Sequence, residues 1–145
     1  MIALIQRVSS ATVCVDGQTV GAIGAGMLAL IGVRPEDTAD NAERLLERLL
    51  GYRIFADTAG RMNLALNDTG GGLLLVPQFT LAADTRKGTR ASFSSAAAPD
   101  TARHLFDHLA QRARAAHTAV ETGRFGADMS VSLVNEGPVS FILEA

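Results

Sequence analysis

Residues 2–33 read IALIQRVSSATVCVDGQTVGAIGAGMLALIGV, and the order of apolar runs and turns in this stretch indicates the kind of fold to expect. Ile2 to Val15 is rich in Ile and Val and alternates loosely, the period of a strand with one face turned inward. Asp16-Gly17 follows as a two-residue hairpin signal, because a tight turn needs positive φ and these residues tolerate it. A second strand, from about Thr19 to Ile23, returns along the first. Gly24-Ala25-Gly26 then separates it from Met27 to Val33, a continuous apolar run of strand length expected to be covered on both faces. The spacing Gly21-x-x-Gly24-x-Gly26 neither matches a dinucleotide fingerprint nor opens a helix, so these glycines read as turn residues.

Working outward, Thr38 can cap a helix whose positions Ala42, Leu45, Leu46, Leu49 and Leu50 form one apolar stripe, with Gly51 at its end. Tyr52-Arg53-Ile54-Phe55 reads as a short strand and Asp57-Thr58-Ala59-Gly60 as a turn. Three glycines at 70–72 read as a loose turn before Leu73-Leu74-Leu75-Val76, a second doubly buried strand. A second helix starts at Pro99, favoured at the first helical position, and its stripe is Ala102, Leu105, Phe106, Leu109 and Ala113. Two final strands, Met129 to Asn135 and Val139 to Leu143, flank Glu136-Gly137-Pro138. The expectation is one α+β domain over residues 1–145, mainly antiparallel, with two principal helices against a strongly curved sheet or open barrel.

A hydrophobic content of 48% against 19% charged residues suits a packed core and argues against disorder. The N-terminal run breaks at Gln6 and Arg7 and has no basic leader, which predicts neither a signal peptide nor a membrane span. Cys14 is the single cysteine, so no internal disulfide can form and a reducing cytoplasm is expected; in its apolar stretch it reads as a small packed hydrophobe. His104 and His108 lie four apart on a helix, but without a third ligand nearby, so neither a metal nor another cofactor is expected.

A net charge of −2 excludes a general nucleic-acid binder and makes any RNA contact local. The one basic concentration is the loop carrying Arg86, Lys87 and Arg90, which reads either as a solvated loop or as a phosphate contact. Two segments put polar or rigid groups where strand periodicity asks for apolar ones. In Pro77-Gln78-Phe79-Thr80, proline ends regular pairing and leaves the next amides free to face a ligand, an arrangement able to stabilise an oxyanion. Thr80 is a candidate nucleophile or proton relay, though no histidine adjoins it as a base. In Asn135-Glu136-Gly137-Pro138-Val139, the residues by themselves predict an ordinary turn with a trans bond.

At these two segments the chain resembles the D-aminoacyl-tRNA deacylase family, which carries Ser-Gln-Phe-Thr-Leu and Asn-x-Gly-Pro-Val-Thr motifs. The likeness continues through Ile5-Gln6-Arg7-Val8, Leu50-Gly51-Tyr52-Arg53-Ile54-Phe55, Met62-Asn63-Leu64, Ala82-Ala83-Asp84-Thr85, Thr122-Gly123-Arg124-Phe125 and Val131-Ser132-Leu133-Val134-Asn135. The resemblance implies hydrolysis of the ester between a D-amino acid, or glycine, and tRNA, by a homodimer whose sites lie at the subunit interface. It further implies a cis Gly137–Pro138 bond whose carbonyls screen the substrate's chiral centre, with Arg7 holding that turn. Gln78, Phe79 and Thr80 correspond to the motif around the terminal adenosine and scissile ester, where either Thr80 or the RNA's own 2′-hydroxyl promotes hydrolysis. Two positions depart from the pattern. Ser140 stands for threonine and keeps a hydroxyl; Pro77 stands for serine and deletes a hydroxyl and an amide donor, a feature of a related branch with relaxed chiral choice. Phe79 and Val139 agree with the main family, so rejection of L-amino acids is expected. The rival readings are a non-catalytic RNA-binding or assembly domain and a threonine-dependent esterase of small acyl compounds.

Overall fold

The structure, a computed structural model, describes residues 1–145. Strand β1 (Ile2–Val15) is its hub. One edge of β1 pairs antiparallel along nearly its whole length with β8 (Ser130–Glu144). The other edge is shared by β3 (Gly26–Gly32) over residues 2–8 and by β2 (Gln18–Ile23) over residues 11–15, both antiparallel. The turn between β1 and β2 has positive φ at both Asp16 and Gly17, the type I′ signature that joins twisted strands. Beyond β3 the pairing becomes parallel, to β6 (Gly72–Pro77) and then β7 (Val120–Thr122), so the nearly closed, barrel-like sheet is mixed.

Parallel neighbours need crossovers, and two helical segments supply them. Helix α1 (Ala39–Gly51) buries Ala42, Leu45, Leu46, Leu49 and Leu50. Its start is closed by Asn41, whose Oδ1 accepts from the amide and the hydroxyl of Thr38, each at 2.9 Å. Helix α3 (Pro99–Ala116) begins at the proline and buries Ala102, Leu105, Phe106, Leu109, Ala110 and Ala113. Alternate residues of β3 and β6 divide between two cores: Met27, Ala29, Ile31, Leu73 and Leu75 face the helices, whereas Leu28, Leu74 and Val76 join Val8, Ala11 and Val13 on the opposite face. Both strands are thus covered on both sides.

Three local expectations change. Residues 52–54 are not strand; β4 is only Phe55–Ala56, paired with β5 (Met62–Leu64), and a one-turn helix α2 (Leu66–Thr69) follows. The glycine run is the turn expected before a strand but a tighter one: Gly70 caps α2 in the left-handed region, and Gly72 already lies in β6, where a Cβ on Gly26 would lie 2.0 Å from the Gly72 carbonyl oxygen, so the parallel strands start on two glycines. The two strands expected at the C-terminus are one, β8, interrupted by an excursion at residues 136–139.

Candidate active site

The sheet ladder runs out at Pro77, which lies opposite Ile31. The amide of Gln78 still donates to the Ile31 carbonyl at 2.7 Å, so of the three amides expected to be free this one is engaged. The amides of Phe79 and Thr80 take no partner in the chain. They open a 3-10 helix, Phe79–Ala82, whose first donors have no preceding turn to bond. The Thr80 hydroxyl accepts from Gln78 Nε2 at 2.5 Å. Phe79 is 56% exposed, with its ring centroid 5.2 Å from that of Phe93.

Beside this turn opens a cavity of about 510 Å³. Val76 to Phe79 form one wall, and Phe125, Ala127, Asp128, Met129 and Val131 the other. Asp128 is its one charged lining residue, and the rest of the lining is mostly apolar. The guanidinium of Arg103 stacks at 4.7 Å over the Phe125 ring. Phe125 and Met129 were not singled out from the sequence as site residues, because Phe125 lies in a loop with no periodic signal and Met129 reads only as the start of a strand; the return of the chain after α3 brings both beside β6.

The excursion in β8 lies opposite Arg7. In register, Gln6 pairs with Ser140 and Val8 with Asn135, so residues 136–139 bulge out across from a single residue of β1. Arg7 spans the gap: Nε donates to the carbonyl of Glu136 at 3.0 Å and Nη1 to the carbonyl of Ile54 at 2.7 Å. Asn135 staples the base of the bulge, its Oδ1 accepting from the Val139 amide at 3.0 Å and its Nδ2 donating to the Ser140 hydroxyl at 2.9 Å. Ser140 therefore retains the acceptor that its position requires. Gly137 has φ +129°, and the Gly137–Pro138 bond is cis, where the residues by themselves predict trans. Gly137 and Pro138 are both exposed and line no part of the cavity beside Phe79.

Residues 4–144 match the family model described as D-Tyr-tRNA(Tyr) deacylase. The chain belongs to that family. A D-aminoacyl-tRNA deacylase of Thioalkalivibrio sulfidiphilus is 71% identical over 99% of this chain and 97% of its own length, and one of Teredinibacter turnerae is 61% identical over 100% of both. Among solved structures, a c-Myc DNA Unwinding Element Binding Protein superposes with a TM-score of 0.96 at 33% identity, over 100% of this chain and 99% of its own. A probable eukaryotic D-amino acid tRNA deacylase reaches 0.89 at 18% identity, over 99% and 98%, and shares the fold. The chain is accordingly a hydrolase that deacylates D-aminoacyl-tRNA.

Within this deacylase the Thr80 hydroxyl has no side-chain partner but Gln78, so no general base is bonded to it. His108 faces Glu43 at 2.9 Å between the helices, and His117 meets the carbonyl of Gly71 at 2.6 Å. Neither the cavity nor the 78–80 turn contains a histidine. Cys14 is half-buried, more open than the packed position expected of it, with its sulfur 3.6 Å from the Thr19 hydroxyl. The basic loop divides in two. Arg86 forms two side-chain bonds to Asp84, at 2.9 and 2.8 Å, and these hold the Asp84 carboxyl far below the usual carboxylate range. Lys87 and Arg90 are exposed and form no ion pair. No helix is long and apolar enough to cross a membrane.

Proposed function

We propose that this deacylase works as a homodimeric chiral proofreader in the cytoplasm. It removes D-amino acids from tRNA, and glycine mischarged on tRNA(Ala), and spares L-aminoacyl-tRNA. The observation that carries this reading is the separation of the two motifs. The cavity beside Gln78, Phe79 and Thr80 is bounded on no side by residues 136–139 of the same chain, while Glu136, Gly137 and Pro138 stand exposed on β8. The same strand has one unpaired edge and leaves Val134, Phe141 and Ile142 exposed, a surface that edge strands are usually built to avoid. A second copy seated there buries these side chains and brings its Gly137-Pro138 turn to the neighbouring cavity.

The chemistry follows from the groups present. The terminal adenosine occupies the apolar slot, and its ester lies at the free amides of Phe79 and Thr80. Water adds to the ester carbonyl, the amides stabilise the oxyanion, the carbon–O3′ bond breaks, and O3′ takes a proton. The Thr80 oxygen accepts from a neutral amide and has no base to remove its proton, so Thr80 positions and the RNA's 2′-hydroxyl assists the attack. Arg7 holds the 137–138 turn, whose carbonyls face the substrate's α-carbon. An L side chain collides there; a D-residue or glycine presents hydrogen. Selection by collision against the wrong substrate asks for no pocket fitted to the right side chain, so diverse D-amino acids are accepted. Matched D-, L- and glycyl-tRNA tested with the purified protein should show cleavage of the first and third only. Light scattering should give twice the 15.2 kDa chain mass. Equal rates on D- and L-substrates defeat the chiral reading, and a monomer active at micromolar concentration defeats the shared site.

A further inference from the structure

Phe93 has no part in the arrangement above, yet it is 48% exposed and stands against Phe79 with the two rings inclined at 50°. Phe79 lines the cavity, so Phe93 extends an aromatic surface outward from its mouth. Its exposure is not that of a loose end. Ser92 and Asp84 exchange backbone bonds at 3.0 and 2.8 Å, the Ser95 hydroxyl donates to the carbonyl of Ala82 at 2.6 Å, and the Ala97 amide donates to the carbonyl of Val33 at 3.0 Å. One exposed ring alone would mean nothing, but two exposed rings in contact at the mouth of a cavity form a contiguous apolar patch, and such a patch marks a place where something binds.

The surroundings identify the chemistry of the occupant. The Asp84–Ser92 bridge closes the loop that bears Lys87 and Arg90, two cations without an acidic partner in a chain whose net charge is −2. Exposed aromatic rings beside unpaired cations form the surface on which single-stranded nucleic acid stacks its bases and sets its phosphates. The substrate has such a segment, the unpaired 3′ end of tRNA. We infer that Phe93 stacks the base of the nucleotide preceding the terminal adenosine, with Lys87 and Arg90 taking the adjoining phosphates. This rests on the reading that the adenosine itself enters the cavity.

The test compares D-aminoacyl-tRNA with 3′-O-(D-aminoacyl)adenosine, which lacks the preceding nucleotide. Phe93→Ala should lower kcat/KM on the tRNA about tenfold, the effect of removing one base-stacking ring, and leave the adenosine ester within about twofold. Phe93→Trp should keep both rates. An equal loss on both substrates would assign Phe93 to propping Phe79, and no loss on either would return it to a surface for some other partner; each outcome overturns the inference. Binding is read separately with a short RNA that ends in a non-hydrolysable D-aminoacyl amide and carries 2-aminopurine at either of its last two positions. Quenching at the penultimate position should disappear in Phe93→Ala. If it persists while the terminal position is quenched, only the inference about Phe93 fails. If the wild-type protein leaves the terminal position unquenched, the placement of the adenosine fails first.

Discussion

A single methyl group added at residue 137 tests whether the excursion in β8 governs catalysis. A Cβ built on Gly137 lies 2.7 Å from Val139 Cγ2, 3.0 Å from Arg7 Nη2 and 3.2 Å from the Val139 amide nitrogen, and φ there is +129°. None of these neighbours gives way freely. The Val139 amide is bonded to Asn135, and Arg7 is tied to two carbonyls. An L-residue at such a φ costs about 1–3 kcal/mol, and the forced contacts add about 1 kcal/mol more. Because Glu136, Gly137 and Pro138 are exposed and only Val139 of the bulge packs against a core, the chain relieves much of this by moving the turn. Gly137→Ala should therefore lower the melting temperature by only about 4–8 °C, from a net loss of about 2 kcal/mol. Deacylation of D-aminoacyl-tRNA should fall by about a hundredfold, because an ångström of displacement at the reacting centre is worth that much. Gly60→Ala is the control: φ is +79° there and nothing lies within 4 Å of the added Cβ, so it should lose about 1 kcal/mol and keep full activity. Thermal melts and single-turnover deacylation of matched D- and L-substrates measure both quantities. A Gly137→Ala protein with wild-type rate and wild-type rejection of L-aminoacyl-tRNA would refute the role assigned to the turn.

Thr80→Ala should retain measurable hydrolysis, while a substrate with a 2′-deoxy terminal adenosine should lose orders of magnitude in rate; a trapped acyl-enzyme on Thr80 would reverse the assignment. Neutralising Lys87 and Arg90 together should weaken tRNA binding and flatten its salt dependence without altering D/L selection, and Arg86→Gln should do less because Asp84 already engages that guanidinium; equal slopes for all variants would return the loop to solvent. Stability should decline on acidification below about pH 4.5. Burial acts to raise the Glu43 carboxyl, but bonds from Arg112 and His108 outweigh it, and Arg34 depresses Glu144, so both contribute stability above their unfolded values and lose it as pH falls through the lowered ones. Urea titrations from pH 6 to pH 3 should show this acid limb flattened in Glu43→Gln, and an unchanged limb would remove Glu43 from the account.

What the sequence determined by itself was whatever depends on neighbours along the chain. The Asp16-Gly17 hairpin, the stripe of α1, the start of α3 at Pro99 and the doubly buried runs of β3 and β6 all follow from local φ demands and from periods of two or 3.6. The motif residues Gln78, Phe79, Thr80, Gly137 and Pro138 were legible too, as polar or rigid groups interrupting strand patterns and as points of family resemblance. Only the tertiary structure decided what those residues meet. That β8 is one strand with a bulge follows from its register against β1, set by pairing partners some 130 residues away and invisible to local pattern. That Ile54 offers its carbonyl to Arg7 and leaves strand geometry, that Arg86 is taken by Asp84 while Lys87 and Arg90 stay free, and that Phe125 and Met129 wall a cavity with Pro77 are likewise facts of contact. Periodicity reports which face of an element is buried; it carries no information on which other element covers that face, and an active site is made of such meetings.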